Sequence, residues 1–196
     1  DEKIGIVNKR PFRAPHHSIT MQSLVGGGTN SKPGEIALSH RGVLFLDEIA
    51  EFDRRILESL RQPMEDMCVN ISRLRNNVTY PCNMLVVGAM NPCPCGYYMS
   101  EKECKCNIND INRYKKKLSG PLLDRFDLFV EMSPISCDEL NNKSEGEKSS
   151  DIRKRVEQAR NIQRERFKNY NINTNNEMIS KHIDEYCKLD KESIDL

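Results

Sequence analysis

The chain has 196 residues, and its 30 basic and 29 acidic side chains give a formal net charge of +1. This balance excludes a general electrostatic attraction to nucleic acid or to a membrane, so any basic surface must be local. No stretch approaches the roughly 18 apolar residues of a membrane span, and the N-terminus does not read as a signal peptide. We therefore expect a cytoplasmic protein with no membrane partner.

Two short apolar runs predict the central strands of a parallel sheet. The first run is Val43-Leu44-Phe45-Leu46, and the second covers residues 84–90. Continuous apolar runs of this length are typical of strands that are covered on both faces. A helix is predicted between them, from about Asp53 to Pro63. Strands that alternate with helices predict an α/β fold built in layers.

The rest of the chain gives weaker signals. Residues 69–80 alternate apolar and polar side chains on both sides of an Asn pair, which predicts a β-hairpin. Residues 134–150 have the polar composition of a linker. We expect this linker to join a core of residues 1–133 to a helical segment, residues 151–196, in which a second, weaker helix begins near residue 177.

Two adjacent carboxylates follow the first predicted strand, in the run Gly42-Val43-Leu44-Phe45-Leu46-Asp47-Glu48. In open α/β sheets the carboxyl ends of parallel strands face the ligand crevice. Asp47 would hold Mg²⁺ there, and Glu48 would orient and deprotonate a water molecule. Alternatively, both are solvated turn residues, and this short pattern alone does not decide between the two interpretations.

Two further polar residues extend the pattern. Asn91 follows the second predicted strand, where its amide would position a water molecule or a phosphate; the alternative is a simple turn residue before Pro92. Arg125 lies between Asp124 and Asp127. It is either part of a local ion pair or an arginine finger that stabilises charge on the phosphoryl group of a neighbouring subunit.

Four of the eight cysteines lie in one short segment: Cys93, Cys95, Cys104 and Cys106. Four thiolates can form a tetrahedral Zn²⁺ site, although a Cys-x-Cys spacing is tighter than the common Cys-x₂-Cys. The alternatives are reduced free thiols or adventitious pairs. His16 and His17 are further possible ligands, but we expect them to be hydrogen-bonded strand or loop residues.

Together these segments resemble the AAA+ superfamily of ATPases, in the order Walker B (Asp47 and Glu48), sensor 1 (Asn91) and arginine finger (Arg125). Further stretches are similar to the magnesium-chelatase-like group, and within it to the ComM (YifB) group of competence proteins. These stretches are Arg10-Pro-Phe-Arg-Ala-Pro-His-His-Ser18, Gly26-Gly-Gly28 with Pro33-Gly-Glu-Ile36, Asn91-Pro-Cys-Pro-Cys-Gly-Tyr-Tyr98 and Ser119-Gly-Pro-Leu-Leu-Asp-Arg125. The similarity covers roughly residues 10–170.

The resemblance implies an AAA+ (P-loop NTPase-like) three-layer α/β core with a parallel sheet, together with part of a helical lid. It implies ATP and Mg²⁺ as cofactors, with Asp47 on the metal, Glu48 activating water and Asn91 sensing the γ-phosphate. Arg125 would act in trans, which requires a ring of identical subunits, usually a hexamer. The ring would act on DNA, as a helicase or in branch migration. The alternatives are a magnesium-chelatase-type remodelling subunit and a non-catalytic zinc and nucleic-acid-binding module.

One part of the family pattern is missing from these residues. No Gly-x-x-x-x-Gly-Lys-Ser/Thr motif occurs, because the glycine run at residues 26–28 is not followed by Lys-Ser/Thr. The resemblance places this P-loop, with the Walker A strand, upstream of Asp1, and a further sensor arginine beyond Leu196. We therefore expect the full-length parent to be the active ATPase. The chain alone should bind ATP weakly or not at all and should expose a sheet edge.

The predicted hairpin carries two arginines, Arg73 and Arg75, at its tip. In related ring motors a hairpin before sensor 1 points into the central pore, so we expect these arginines to contact DNA phosphates. The alternative is a pair of solvated turn charges.

Overall fold

A computed structural model describes residues 9–72, 77–132 and 146–194. The chain divides into two compact units, Asp1–Pro134 and Ile135–Leu196. The strands of the first unit are β1 (Phe12–Arg13), β2 (Gly26–Gly27), β3 (Lys32–Pro33), β4 (Val43–Leu46), β5 (Cys68–Ser72), β6 (Asn77–Pro81) and β7 (Leu85–Gly88). Its helices are α1 (Met21–Val25), α2 (Glu35–Leu38), α3 (Arg54–Glu58), α4 (Arg61–Asp66), α5 (Ile108–Lys115) and α6 (Gly120–Leu123), and a 3₁₀ turn covers Ile49–Glu51.

The central sheet is parallel and has the order β1-β4-β7. Its register pairs Val43 with Leu85 and Leu46 with Gly88, so β4 lies in the middle. Both strands predicted from apolar runs are present, and the predicted α/β class is confirmed. The β2–β3 and β5–β6 pairs form two separate antiparallel sheets.

One face of the central sheet forms the core. Leu44 and Leu46 are fully buried there, because α1, α2, α3 and α6 all pack apolar side chains into the same cluster. The other face carries Phe12, Leu85 and Val87, whose exposed fractions are 64%, 61% and 38%. The prediction that the strands are covered on both faces is therefore wrong for this face, since the helices described contribute their buried residues to a single cluster.

The helix predicted from Asp53 to Pro63 is two short helices, α3 and α4. The Asp53 side chain begins α3 by accepting the backbone N–H of Arg55 at 2.8 Å. Pro63 was predicted to end the helix, but it lies in the first turn of α4. A proline is tolerated there because the first backbone N–H groups of a helix have no partner within the helix.

The predicted hairpin is confirmed, because β5 and β6 pair from Cys68 with Pro81 to Ser72 with Asn77. Val69 and Ile71 lie in the core cluster, which anchors the hairpin to the first unit. Arg73 and Arg75, the predicted DNA-contacting residues, lie outside the described residues.

The second unit consists of α7 (Ser149–Arg166), a 3₁₀ turn (Asn175–Glu177), α8 (Ser180–Tyr186) and α9 (Lys191–Ile194). The helix predicted from Asp151 begins two residues earlier, with Lys148 as its N-cap. Phe167 is 1% exposed and contacts the rings of His182 and Tyr186, with centroid distances of 6.4 and 5.7 Å. The role of this unit as part of a lid stays a prediction. Of the helices described in either unit, none has the length and hydrophobicity needed to cross a bilayer.

Candidate active site

Asp47 and Glu48 lie at the carboxyl end of β4, and both are exposed. Glu48 adopts the left-handed conformation, with φ of 49° and ψ of 44°, which turns the chain out of the strand and into the 3₁₀ turn. Its backbone N–H donates to Asp47 Oδ1 at 2.9 Å. The turn therefore fixes one oxygen of Asp47 and leaves both carboxylates at the edge of the sheet.

Backbone pairing continues beyond the ends of β4 and β7. The Ala89 N–H donates to the Leu46 carbonyl at 3.0 Å, and the Ile49 N–H donates to the Ala89 carbonyl at 2.9 Å. These bonds bring the chain leading to the exposed Asn91 beside the turn at Asp47. Three of the four residues predicted to act on nucleotide thus lie along one edge of the sheet.

His17 contacts Glu48. Its Nδ1 atom lies 3.3 Å from Glu48 Oε2, and the two side chains are 33% and 55% exposed. The ring of His17 also lies 4.0 Å from that of His16, centroid to centroid, and His16 Nδ1 is hydrogen-bonded to Ser18 Oγ at 2.8 Å. The sequence did not indicate the His17–Glu48 contact, because the two residues are 31 positions apart and only the fold brings them together.

Tyr114 and Lys117 connect the region of α5 to this edge. Lys117 Nζ lies 3.1 Å from Oε2 of Glu51, the last residue of the 3₁₀ turn that follows Glu48. Tyr114 is 5% exposed. The pKa of its hydroxyl is raised, mainly because the side chain is buried and secondly because of the negative charge of Glu51. Tyr114 therefore stays neutral at physiological pH.

Arg125 follows α6 and forms an ion pair with Glu65 of α4. Arg125 Nε donates to Glu65 Oε1 at 2.5 Å, and the same oxygen also contacts Nη2. The two side chains are 37% and 43% exposed. Among the described residues the ion pair of Arg125 is with Glu65 rather than with its neighbours Asp124 and Asp127. The structure does not bring Arg125 into contact with Asp47 or Glu48.

The four clustered cysteines come together in the loop after Asn91. Cys93 Sγ lies 3.4 Å from Cys95 Sγ and 3.7 Å from Cys104 Sγ, and Cys95 and Cys104 are 3.6 Å apart. With Cys106 included, all four sulfurs lie within 4.8 Å of one another. A backbone hydrogen bond from Tyr97 lowers the pKa of Cys95 to about 6.

The parallel sheet β1-β4-β7, with helices packed against one face, defines an α/β protein. The family described as "Magnesium chelatase, subunit ChlI" matches residues 1–140, and the family described as its C-terminal part matches residues 146–196. The chain belongs to the magnesium chelatase ChlI family.

Individual relatives agree with this assignment. The competence protein ComM of Haemophilus influenzae is 46% identical over 182 residues, which is 92% of this chain and 35% of that protein. The protein YifB of Escherichia coli K12 is 44% identical over 186 residues, 94% of this chain and 36% of the relative. The zygotic DNA replication licensing factor mcm6 of Xenopus tropicalis is 27% identical over 126 residues, 64% of this chain and 14% of that protein. The predicted resemblance to ComM and YifB is confirmed, and the chain spans about a third of the length of these two relatives.

Proposed function

We propose that this chain supplies the metal-binding, water-activating and phosphate-sensing residues of an ATP hydrolase. The observation that carries the proposal is the placement of Asp47, Glu48 and Asn91 on one edge of the sheet, at the carboxyl ends of two paired strands. Ligands of open α/β sheets bind at such edges.

The carboxylate of Asp47 fits Mg²⁺, because this ion prefers oxygen ligands and keeps several of its own water molecules. Asp47 is exposed, and its Oδ1 atom is already oriented by the Glu48 N–H. When bound, the ion would offset the negative charge of the ATP phosphates. The residues present at this edge are therefore compatible with magnesium.

Glu48 is the base in this proposal, since its exposed carboxylate can accept a proton from a water molecule. His17 lies against Oε2 at 3.3 Å and holds the carboxylate in one orientation, which leaves Oε1 for the water. Asn91 would donate its amide N–H to the terminal phosphate and so report whether the phosphate is present.

Arg125 acts in the site of a neighbouring subunit in this proposal, within a ring of identical chains, usually a hexamer. Its half-exposed guanidinium and its separation from the chain's own carboxylate edge support action in trans. Glu65 would hold the side chain extended until a partner's phosphate competes for it.

DNA is the proposed substrate of the ring. The ring would act on it as a helicase or in branch migration, in the cytoplasm. The similarity to a competence protein and to a DNA replication licensing factor supports this assignment. A magnesium-chelatase-type remodelling subunit is the second candidate, favoured by the description of the matching family. Stimulation of ATP hydrolysis by DNA distinguishes the two.

The test is a Glu48→Gln variant of the intact protein. We expect ATP hydrolysis to fall by about 10²–10⁴-fold, the usual contribution of a general base, while ATP binding is kept. Glu157→Gln, which neutralises an exposed carboxylate on α7, is the matched control and should hydrolyse ATP at the normal rate. Hydrolysis by Glu48→Gln within a few-fold of the unmodified protein would exclude Glu48 as the base.

A further inference from the structure

The loop between Asn91 and α5 has almost no core of its own. Of its residues 92–106, only Cys93 is buried, whereas Met99 is 84% exposed and Tyr97 is 42% exposed. A loop of this length cannot be held in one conformation by so little apolar burial. Small protein segments that lack a core are commonly held together by disulfides or by a structural metal ion.

The arrangement of the sulfurs does not fit disulfides. Their closest separation is 3.4 Å, between Cys93 and Cys95, whereas a disulfide needs about 2.05 Å. All four cysteines are free. The four sulfurs are therefore all available as metal ligands in this structure.

The separations do fit a metal ion. Four sulfurs placed tetrahedrally at about 2.3 Å from Zn²⁺ are separated from one another by about 3.8 Å. The three separations among Cys93, Cys95 and Cys104 are 3.4–3.7 Å, and Cys106 completes the group within 4.8 Å. A small contraction at Cys106 would complete the tetrahedron.

The surroundings also favour thiolate ligands. The backbone N–H of Tyr98 donates to Cys93 Sγ at 3.3 Å, and such bonds orient and stabilise sulfur ligands. Four thiolates around one Zn²⁺ leave a net charge of −2. Two lysines lie over tyrosine rings of this segment and would contribute positive charge to it: Lys102 Nζ is 5.3 Å from the Tyr97 centroid, and Lys115 Nζ is 5.8 Å from the Tyr98 centroid.

We infer that Cys93, Cys95, Cys104 and Cys106 bind one structural Zn²⁺ ion. The first ligand lies two residues after Asn91, and the last lies directly before Asn107, whose side chain caps α5 by accepting the Asp110 N–H at 2.9 Å. The ion would therefore join the end of the Asn91 segment to the beginning of α5. Its role is to position these two segments, and it takes no part in hydrolysis.

The test measures zinc in the full chain, purified with a non-thiol reductant and without chelator. We expect about one ion per chain by elemental analysis, as in other four-cysteine sites. The Cys95→Ser/Cys104→Ser double variant should lose the zinc. Cys187→Ser, which removes an exposed thiol from the second unit, should keep it.

A second measurement does not depend on how the variants fold. Unmodified protein reconstituted with Co²⁺ should show the intense visible bands and thiolate charge transfer of tetrahedral four-sulfur coordination. Zinc absent from the unmodified chain, zinc retained by the double variant, or the weak spectrum of octahedral Co²⁺ would each overturn the inference. None of these readouts involves ATP, so they are independent of the proposed hydrolase activity.

Discussion

The four-cysteine cluster and the carboxylate edge differ in how the chain builds them. The cluster takes all its ligands from one segment, residues 93–106, so a single loop conformation assembles it. The edge takes Glu48 from the end of β4, Asn91 from beyond β7 and His17 from a loop near the start of the described chain. A site built from one segment can form wherever that segment is ordered, whereas the edge forms only after the sheet has paired.

The first prediction separates the two sites by their affinities in the isolated 196-residue chain. Zinc should bind with about 10 kcal/mol or more of free energy, as in structural zinc sites. Mg-ATP should bind more weakly than micromolar, because these residues contain no Gly-rich loop followed by Lys-Ser/Thr to hold the phosphates. We therefore expect a difference of at least about 20-fold between the two dissociation constants.

Isothermal titration calorimetry with each ligand measures this difference. Zinc-loaded chain should be used for the Mg-ATP titration, so that both sites are examined in the same fold. Micromolar affinity for Mg-ATP would show that the carboxylate edge, like the cysteine cluster, binds its ligand without any residues from outside this chain. The proposed difference between the two sites would then be wrong.

The second prediction divides the hydrolysis site between two subunits. Arg125→Ala in the intact protein should lower the rate of ATP hydrolysis by about 10³-fold, the lower end of the range for arginine fingers. Mixing it with Glu48→Gln should restore part of the activity. In mixed rings, some interfaces combine the intact Glu48 of one subunit with the intact Arg125 of the other.

Two outcomes sharpen this test. Glu65→Ala should change hydrolysis only slightly, because it removes the partner that holds Arg125 and leaves the guanidinium itself in place. If mixed rings stay as inactive as each variant alone, Arg125 acts within its own subunit or only supports the fold. The hydrolysis site would then be confined to one chain.

The third and smallest prediction concerns the hairpin. Arg73→Ala/Arg75→Ala in the intact protein should weaken DNA-stimulated ATP hydrolysis. It should also reduce the slope of log affinity against log salt by about 2, since each lost phosphate contact removes roughly one unit. Lys188→Ala/Lys191→Ala removes the same charge from exposed positions of the second unit and is the control. An unchanged slope would mean that both arginines are solvated.

The sequence predicted those features that depend on short-range patterns. The apolar runs of β4 and β7, the alternation in β5 and β6 and the spacing in α7 each reflect a local period, and all of these elements are present. The four cysteines were identified for the same reason, because their spacing of two residues on each side of a short loop is itself local.

Contacts between distant segments were not predictable in this way. The His17–Glu48 and Arg125–Glu65 contacts join residues that are 31 and 60 positions apart, and no local pattern marks such pairs. The exposed face of the sheet was not predicted. An apolar run shows only that a strand can be buried on both faces, whereas its burial in the fold depends on where the helices pack. The break between α3 and α4 was missed because Pro63 was treated as a helix end rather than as a first-turn residue.

The left-handed turn at Glu48 has a consequence for protein engineering. A residue other than glycine or asparagine in this conformation costs on the order of 1 kcal/mol, and Glu48 is held there with φ of 49°. Directed evolution for thermal stability alone would therefore favour Gly or Asn at position 48. Such variants are expected to be more stable and to have lost the carboxylate, so a library screened without an activity assay would accumulate inactive clones at this position.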